Sequence, residues 1–162
     1  MHNFRYTMSI SLFLLASAGC NNDAPDQYAG WTMVNGNYTG NKYSSLTAID
    51  TTNVQQLQVA WTYRTGDADT AAHSQIQCNP IIVDGIMYAV SPQLKLLALD
   101  AATGVLKWAF LPYDTAGSDK KANFNLNNNR GVAYWSDDKD DKRLFYTVGE
   151  FICAVDAGTG KL

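Results

Sequence analysis

Arg130 is the residue with the most chemistry to offer. It stands in Asn129-Arg130-Gly131, where a long polar stretch from Pro112 gives way to the apolar run Gly131-Val-Ala-Tyr-Trp135. A guanidinium carries its donors in a fixed fork that suits carboxylates and neighbouring carbonyl oxygens, and binding groups gather where loops join a scaffold. By residue type alone it also suits a surface ion pair. Gln77, three residues before Pro80, has an amide that both donates and accepts; the same amide also suits a strand cap. His73 has no second histidine near it in sequence, which argues against a metal site. Asp137-Asp-Lys-Asp-Asp-Lys142 alternates signs without the glycine bend of a calcium loop, and reads as a solvated hairpin tip. Cys78 and Cys153 stand too far apart to define a disulfide framework. Export would permit a bridge between them; buried free thiols are the plainer reading.

These residues hang on a repeat. Ala98-Leu-Asp-Ala-Ala-Thr-Gly104, with Trp108 beyond it, returns as Ala154-Val-Asp-Ala-Gly-Thr-Gly160, in the order Ala-x-Asp-x-x-Thr-Gly. Each copy reads as strand, tight turn, strand, with the glycine free to take positive φ. A recurrence of this kind marks a propeller blade or a solenoid turn. Around the first copy the chain forms a meander. Pro80–Val83 and Ile86–Val90 flank an Asp84-Gly85 hairpin turn, and Lys95–Leu99 and Val105–Phe110 flank the repeat turn. Four antiparallel strands in so short a span have the size of one blade, here about residues 79–110. The pattern restarts with Gly131–Trp135, Arg143–Val148 and Phe151–Val155, an incomplete blade over about residues 131–162. The chain therefore reads as the front part of something longer.

The other segments are less regular. Trp31–Tyr43, rich in Gly, Asn and Tyr, is expected to be ordered loop lying across a preformed surface. Asn53–Leu57 suits one helical turn, and Leu57-Gln-Val-Ala-Trp-Thr-Tyr63 alternates like a strand. Met8–Ala18 is mostly apolar and too short to cross a bilayer, so residues 1–19 read as a signal peptide. Cys20 follows Ser17-Ala18-Gly19 as in a bacterial lipoprotein cleavage box, though Ser17 replaces the usual Leu. Lipid on Cys20, a polar tether over residues 20–30 and a membrane-anchored place on the periplasmic face follow as expectations. The net charge of −3 provides no basic field for nucleic acid.

The repeat with its tryptophan, Ala-x-Asp-x-x-Thr-Gly-x-x-x-Trp, resembles the docking repeat of the quinoprotein dehydrogenases, eight-bladed propellers that use pyrroloquinoline quinone (PQQ). The resemblance extends through Tyr43-Ser-Ser-Leu46, Ile49 and Asn53-Val54, through Leu57–Trp61, through Asn79–Tyr88 and through Asn129–Tyr134. It implies an all-β fold, with residues 31–162 forming the first part of a PQQ-binding propeller. In that family the tryptophan of one blade docks on the Ala and Gly of its neighbour, which here singles out Trp61, Trp108, Ala98 and Gly104. Arg130 matches the family arginine that contacts PQQ, and Gln77 stands where the family often has a Glu that bonds it. The alcohol branch has two adjacent cysteines shortly before the arginine. Lys121–Asn129 has none, and the resemblance is closest to the membrane-associated glucose dehydrogenase branch.

The resemblance further implies oxidation of glucose or another sugar, polyol or alcohol, with electrons passed to a quinone or cytochrome. The catalytic base and the calcium ligands would lie in later blades, so no catalytic residue is assigned, and these residues alone are not expected to turn over substrate. The alternative is a non-enzymatic outer-membrane assembly lipoprotein with the same docking repeat. It accounts for Cys20 and the repeats, but not for Tyr43–Asn53 or Asn129-Arg-Gly131.

Overall fold

Alternating apolar residues between tight turns fold here as two antiparallel meanders. The computed structural model describes residues 29–71, 73–112 and 129–162. The signal peptide, Cys20, nearly all of the tether and most of the polar stretch after Pro112 lie outside the described residues. The first sheet is four-stranded in the order β1-β2-β3-β4, with β1 Ile81–Val83, β2 Ile86–Val90, β3 Leu96–Asp100 and β4 Leu106–Phe110. The second is three-stranded, with β5 Ala133–Ser136, β6 Lys142–Val148 and β7 Phe151–Asp156. All ladders are antiparallel. A single 3-10 turn at Val54–Gln56 is the helical element among the described residues. The fold class is therefore all-β.

The two sheets share one core. Ile81, Tyr88, Val90, Leu96, Ala98 and Phe110 of the first pack with Val132, Leu144, Tyr146 and Val155 of the second. Phe110 meets Tyr146 edge-on at 6.3 Å between ring centroids, and the Tyr146 hydroxyl donates to the Leu94 carbonyl at 3.3 Å. Each fully buried aliphatic side chain contributes about 1.5–3 kcal/mol, so this shared face holds the blades together. Strand β3 is buried on both faces: Leu97 and Leu99 point away from that core and are still 3% and 4% exposed.

The N-terminal segments are laid along this pair. Trp31 makes an isolated bridge to Ile82, whose N–H donates to the Trp31 carbonyl at 2.7 Å. Trp31 also packs against Gly36, and Val34 approaches Gly131 of the second blade. Residues 61–67 run beside β3 and touch both of its ends. Trp61 lies over the turn after β3. Further along, Lys95 donates through Nζ to the Thr65 carbonyl at 3.3 Å, and Asp67 is buried beside Ser91.

Leu57–Tyr63, expected as a strand, joins no ladder among the described residues. Alternation supplies a face, but a strand also needs a neighbour with free backbone groups. The segment lies against neither edge of this sheet as a ladder, and Trp61, with Lys95 just beyond it at Thr65, ties it to the sheet through side-chain bonds. Leu57 and Val59 remain 59% and 83% exposed.

Candidate cofactor site

The two repeat turns and their tryptophans set one blade against the next. In both repeat turns the aspartate carboxylate accepts from the threonine two bonds at once. Asp100 takes Thr103 N–H at 3.0 Å and Oγ1 at 2.9 Å; Asp156 takes Thr159 N–H at 2.7 Å and Oγ1 at 2.6 Å. These bonds hold both carboxyls below the ordinary carboxylate range. The glycines that follow, Gly104 and Gly160, both sit at φ +72, and each exposes a bare backbone patch on which an indole lies. A Cβ on Gly104 would stand 2.5 Å from Trp61, and one on Gly160 would stand 2.6 Å from Trp108. Each indole N–H donates to the carbonyl of the alanine after the aspartate: Trp61 to Ala101 at 3.2 Å, Trp108 to Ala157 at 3.1 Å.

Ala98 serves its own blade. It lies in register between Tyr88 of β2 and Trp108 of β4. Strands two apart stand about 10 Å from each other, yet these rings close to 5.9 Å because Ala98 leaves the space between them free. The Tyr88 hydroxyl also donates to the Ala157 carbonyl, at 3.2 Å. Burial, followed by the nearby Tyr134, Asp84 and Asp156, pushes its pKa up to about 12.

Docking brings the leading ends of the two blades side by side. Asn79 and Gly131 form a parallel bridge. The Arg130 carbonyl accepts from the Asn79 backbone N–H at 3.2 Å and from its Nδ2 at 2.9 Å. Asn129 is 6% exposed; its Nδ2 donates to the Thr147 carbonyl at 2.9 Å, and its Oδ1 accepts from Gly131 N–H at 3.0 Å. Arg130 is exposed at a cleft of about 370 Å³, walled by Met33 and Val34 on one side and by Val132, Phe145 and Thr147 on the other. Gln77 is half-buried two residues before Asn79 and donates through Nε2 to Gln75 at 2.9 Å.

The two sequence-level candidates thus occupy adjacent leading segments. Cys78, next to Gln77, is tied to the sheet: its Sγ accepts from Val90 N–H at 3.3 Å, and burial pushes its thiol pKa up. Burial does the same at Cys153, and both are free thiols. Among the described residues no three His, Cys, Asp or Glu side chains cluster to hold a metal.

Several contributors were invisible as motifs. Asn79 and Asn129 stand within two residues of candidates but carry no spacing signal. Asp67 is 8% exposed and accepts from Ser91 Oγ at 2.5 Å, with Lys95 Nζ at 3.7 Å. Burial raises its pKa, but Ser91, Thr65 and Lys95 together outweigh that and leave it lowered.

Arg130 presents an exposed guanidinium at a cleft with largely apolar walls, a donor of the kind a flat polycarboxylate quinone would need; Gln77 is not among the residues that line that cleft. The match to known proteins agrees in kind. The family described as "PQQ: Glucose/ethanol/alcohol dehydrogenase, beta-propeller domain" matches residues 31–162. The alcohol dehydrogenase (quinone) dehydrogenase subunit of Gluconobacter oxydans is 38% identical over 132 residues, covering 82% of this chain and 16% of that protein. Quinoprotein glucose dehydrogenase A of Acinetobacter calcoaceticus is 32% identical over 152 residues, covering 81% and 18%. Among solved structures, the quinohemoprotein alcohol dehydrogenase ADHIIG of Pseudomonas putida HK5 superposes with TM-score 0.66 at 32% identity, covering 83% of this chain and 18% of that one. The chain thus spans less than a fifth of the length of these relatives. Its two docked blades and the match across residues 31–162 place it in the PQQ-dependent glucose, ethanol and alcohol dehydrogenase β-propeller family.

Proposed function

We propose that this chain contributes the opening blades of a PQQ-dependent dehydrogenase that oxidises glucose or another sugar, polyol or alcohol. Arg130 would hold a carboxylate or quinone-side oxygen of the cofactor through charge-assisted hydrogen bonds, and Gln77 would add a neutral donor and acceptor beside it. The observation that carries the reading is the juxtaposition of Asn79, two residues after Gln77, with Arg130–Gly131 at the leading ends of two docked blades, with Arg130 exposed at the cleft. When bound, PQQ supplies an ortho-quinone that accepts hydride from a substrate alcohol. The residues of this chain hold and orient it and present an apolar wall.

Relatives named for alcohol and for glucose both resemble the chain, so the sugar preference rests on the cysteine-free stretch before Arg130. Calcium bound by later blades, a quinone or cytochrome acceptor, and export to the periplasmic face on a lipidated Cys20 complete the proposal. Mass spectrometry of the mature N-terminus tests the lipid; an unmodified start elsewhere removes it. In the full-length protein, Arg130→Ala is expected to weaken PQQ binding by about 1.5–3 kcal/mol, as for a lost charged hydrogen bond. Titration of the apoprotein with PQQ measures this, and unchanged affinity overturns the assignment. Dye reduction by the PQQ-loaded wild type across a panel of sugars and alcohols ranks the substrates.

A further inference from the structure

Arg130 is exposed and long, and an unrestrained arginine loses rotamer freedom when it binds. Its backbone, however, is held from both blades. Asn79 directs two donors at the Arg130 carbonyl, one from its own backbone and one from its side chain. On the other side the Asn129 carboxamide accepts from Gly131 N–H, while its amide nitrogen donates to the Thr147 carbonyl and, at 3.2 Å, to Thr147 Oγ1. Asn129 thereby fastens the peptide after Arg130 to β6, and Asn79 fastens its carbonyl to the first blade. Neither bond belongs to a regular ladder; among the described residues the blades touch in backbone register only through the isolated Asn79–Gly131 bridge. A donor pair converging on one carbonyl fixes the orientation of that peptide plane, and with it the direction in which the Arg130 side chain leaves the backbone.

We infer that Asn79 and Asn129 are positioning residues for Arg130, a two-sided clamp that aims the guanidinium at the cofactor. The inference rests on the cofactor reading of Arg130 and adds residues that act through it. Asn79 does so from the neighbouring blade, so blade docking and cofactor affinity become coupled.

A double-mutant cycle in the full-length protein tests it, with PQQ affinity of the apoprotein and apoprotein melting as readouts. Asn79→Ala and Asn129→Ala are each expected to weaken PQQ binding about three- to tenfold, in the range of one lost hydrogen bond. In the Arg130→Ala background the same changes are expected to have no further effect on affinity. A residue that merely supports the fold would weaken binding equally in both backgrounds, and that result overturns the clamp. Wild-type affinity in both asparagine variants, with Arg130→Ala still impaired, also overturns it. Unchanged affinity in Arg130→Ala alone refutes instead the cofactor reading beneath it. If Asn79→Ala does not fold, Asn79→Ser, which withdraws the donor from reach of the carbonyl, takes its place in the same cycle.

Discussion

The two docking turns carry the same motif and nearly the same bonds, yet they receive their tryptophans from different structures. Trp108 projects from β4, a strand of a complete meander, and leans on Tyr88. Trp61 projects from a segment that pairs with no strand among the described residues. The sockets are alike down to the aspartate–threonine bonds and the glycine φ. The socket is therefore a local property of Ala-x-Asp-x-x-Thr-Gly, whereas the strength of docking depends on what anchors the indole.

The largest expected effect tests that anchor. Trp108→Ala should destabilise the blade pair by about 3 kcal/mol, and Trp61→Ala by about half as much, because its segment already leaves apolar side chains in water. Urea unfolding of the two variants compares them, and equal losses would break the distinction. Next in size are the glycines. Ala at φ +72 is strained at either turn, about 1–2 kcal/mol. The indole over Gly160 cannot retreat without disturbing β4, so Gly160→Ala should cost about 1 kcal/mol more than Gly104→Ala, where the segment can lift away. The reverse order would mean that the N-terminal segment is the stiffer element.

The smallest effect is one that both turns share. The Asp100 and Asp156 carboxyls are lowered from 3.8 by their threonine bonds. A carboxyl with a lowered folded pKa stabilises the fold above its unfolded value, and that contribution fades as pH falls through the folded value. Acid should therefore loosen both turns together below about pH 4. Asp100→Asn with Asp156→Asn keeps the acceptor but not the titration. Melting temperature against pH should be flatter for the double variant than for wild type; identical slopes would show that the turns do not respond to acid.

Most of the fold was legible because its signals are local. The apolar run Ile86–Val90 after the Asp84-Gly85 turn and the turn residues of Asp100–Gly104 act within a few positions of one another, so the strands fall where the patterns placed them. Leu57–Tyr63 alternates equally well, but its partner is a matter of topology, and no local pattern reports it. The same limit applies to the candidate site. Arg130 and Gln77 stood out through a family pattern, whereas Asn79 and Asn129 gain their roles from a bridge between blades far apart in sequence. Asp67 was hidden for the opposite reason: a charged residue in a polar stretch looks solvated until Ser91 and Lys95 arrive from another turn.

The Ala157 carbonyl, which accepts from Tyr88 at 3.2 Å and from Trp108 at 3.1 Å, has a consequence for the geometry of assembly. Its donors come from strands on either side of β3, so they approach the oxygen from two directions. A single bond would let the second blade swing about it. Two fix the swing, since any rotation that shortens one lengthens the other. In a propeller the rotations from blade to blade must sum to one full turn, and an error of a few degrees per step accumulates around the ring. A carbonyl gripped from two sides narrows the angular tolerance of each step before the ring is complete.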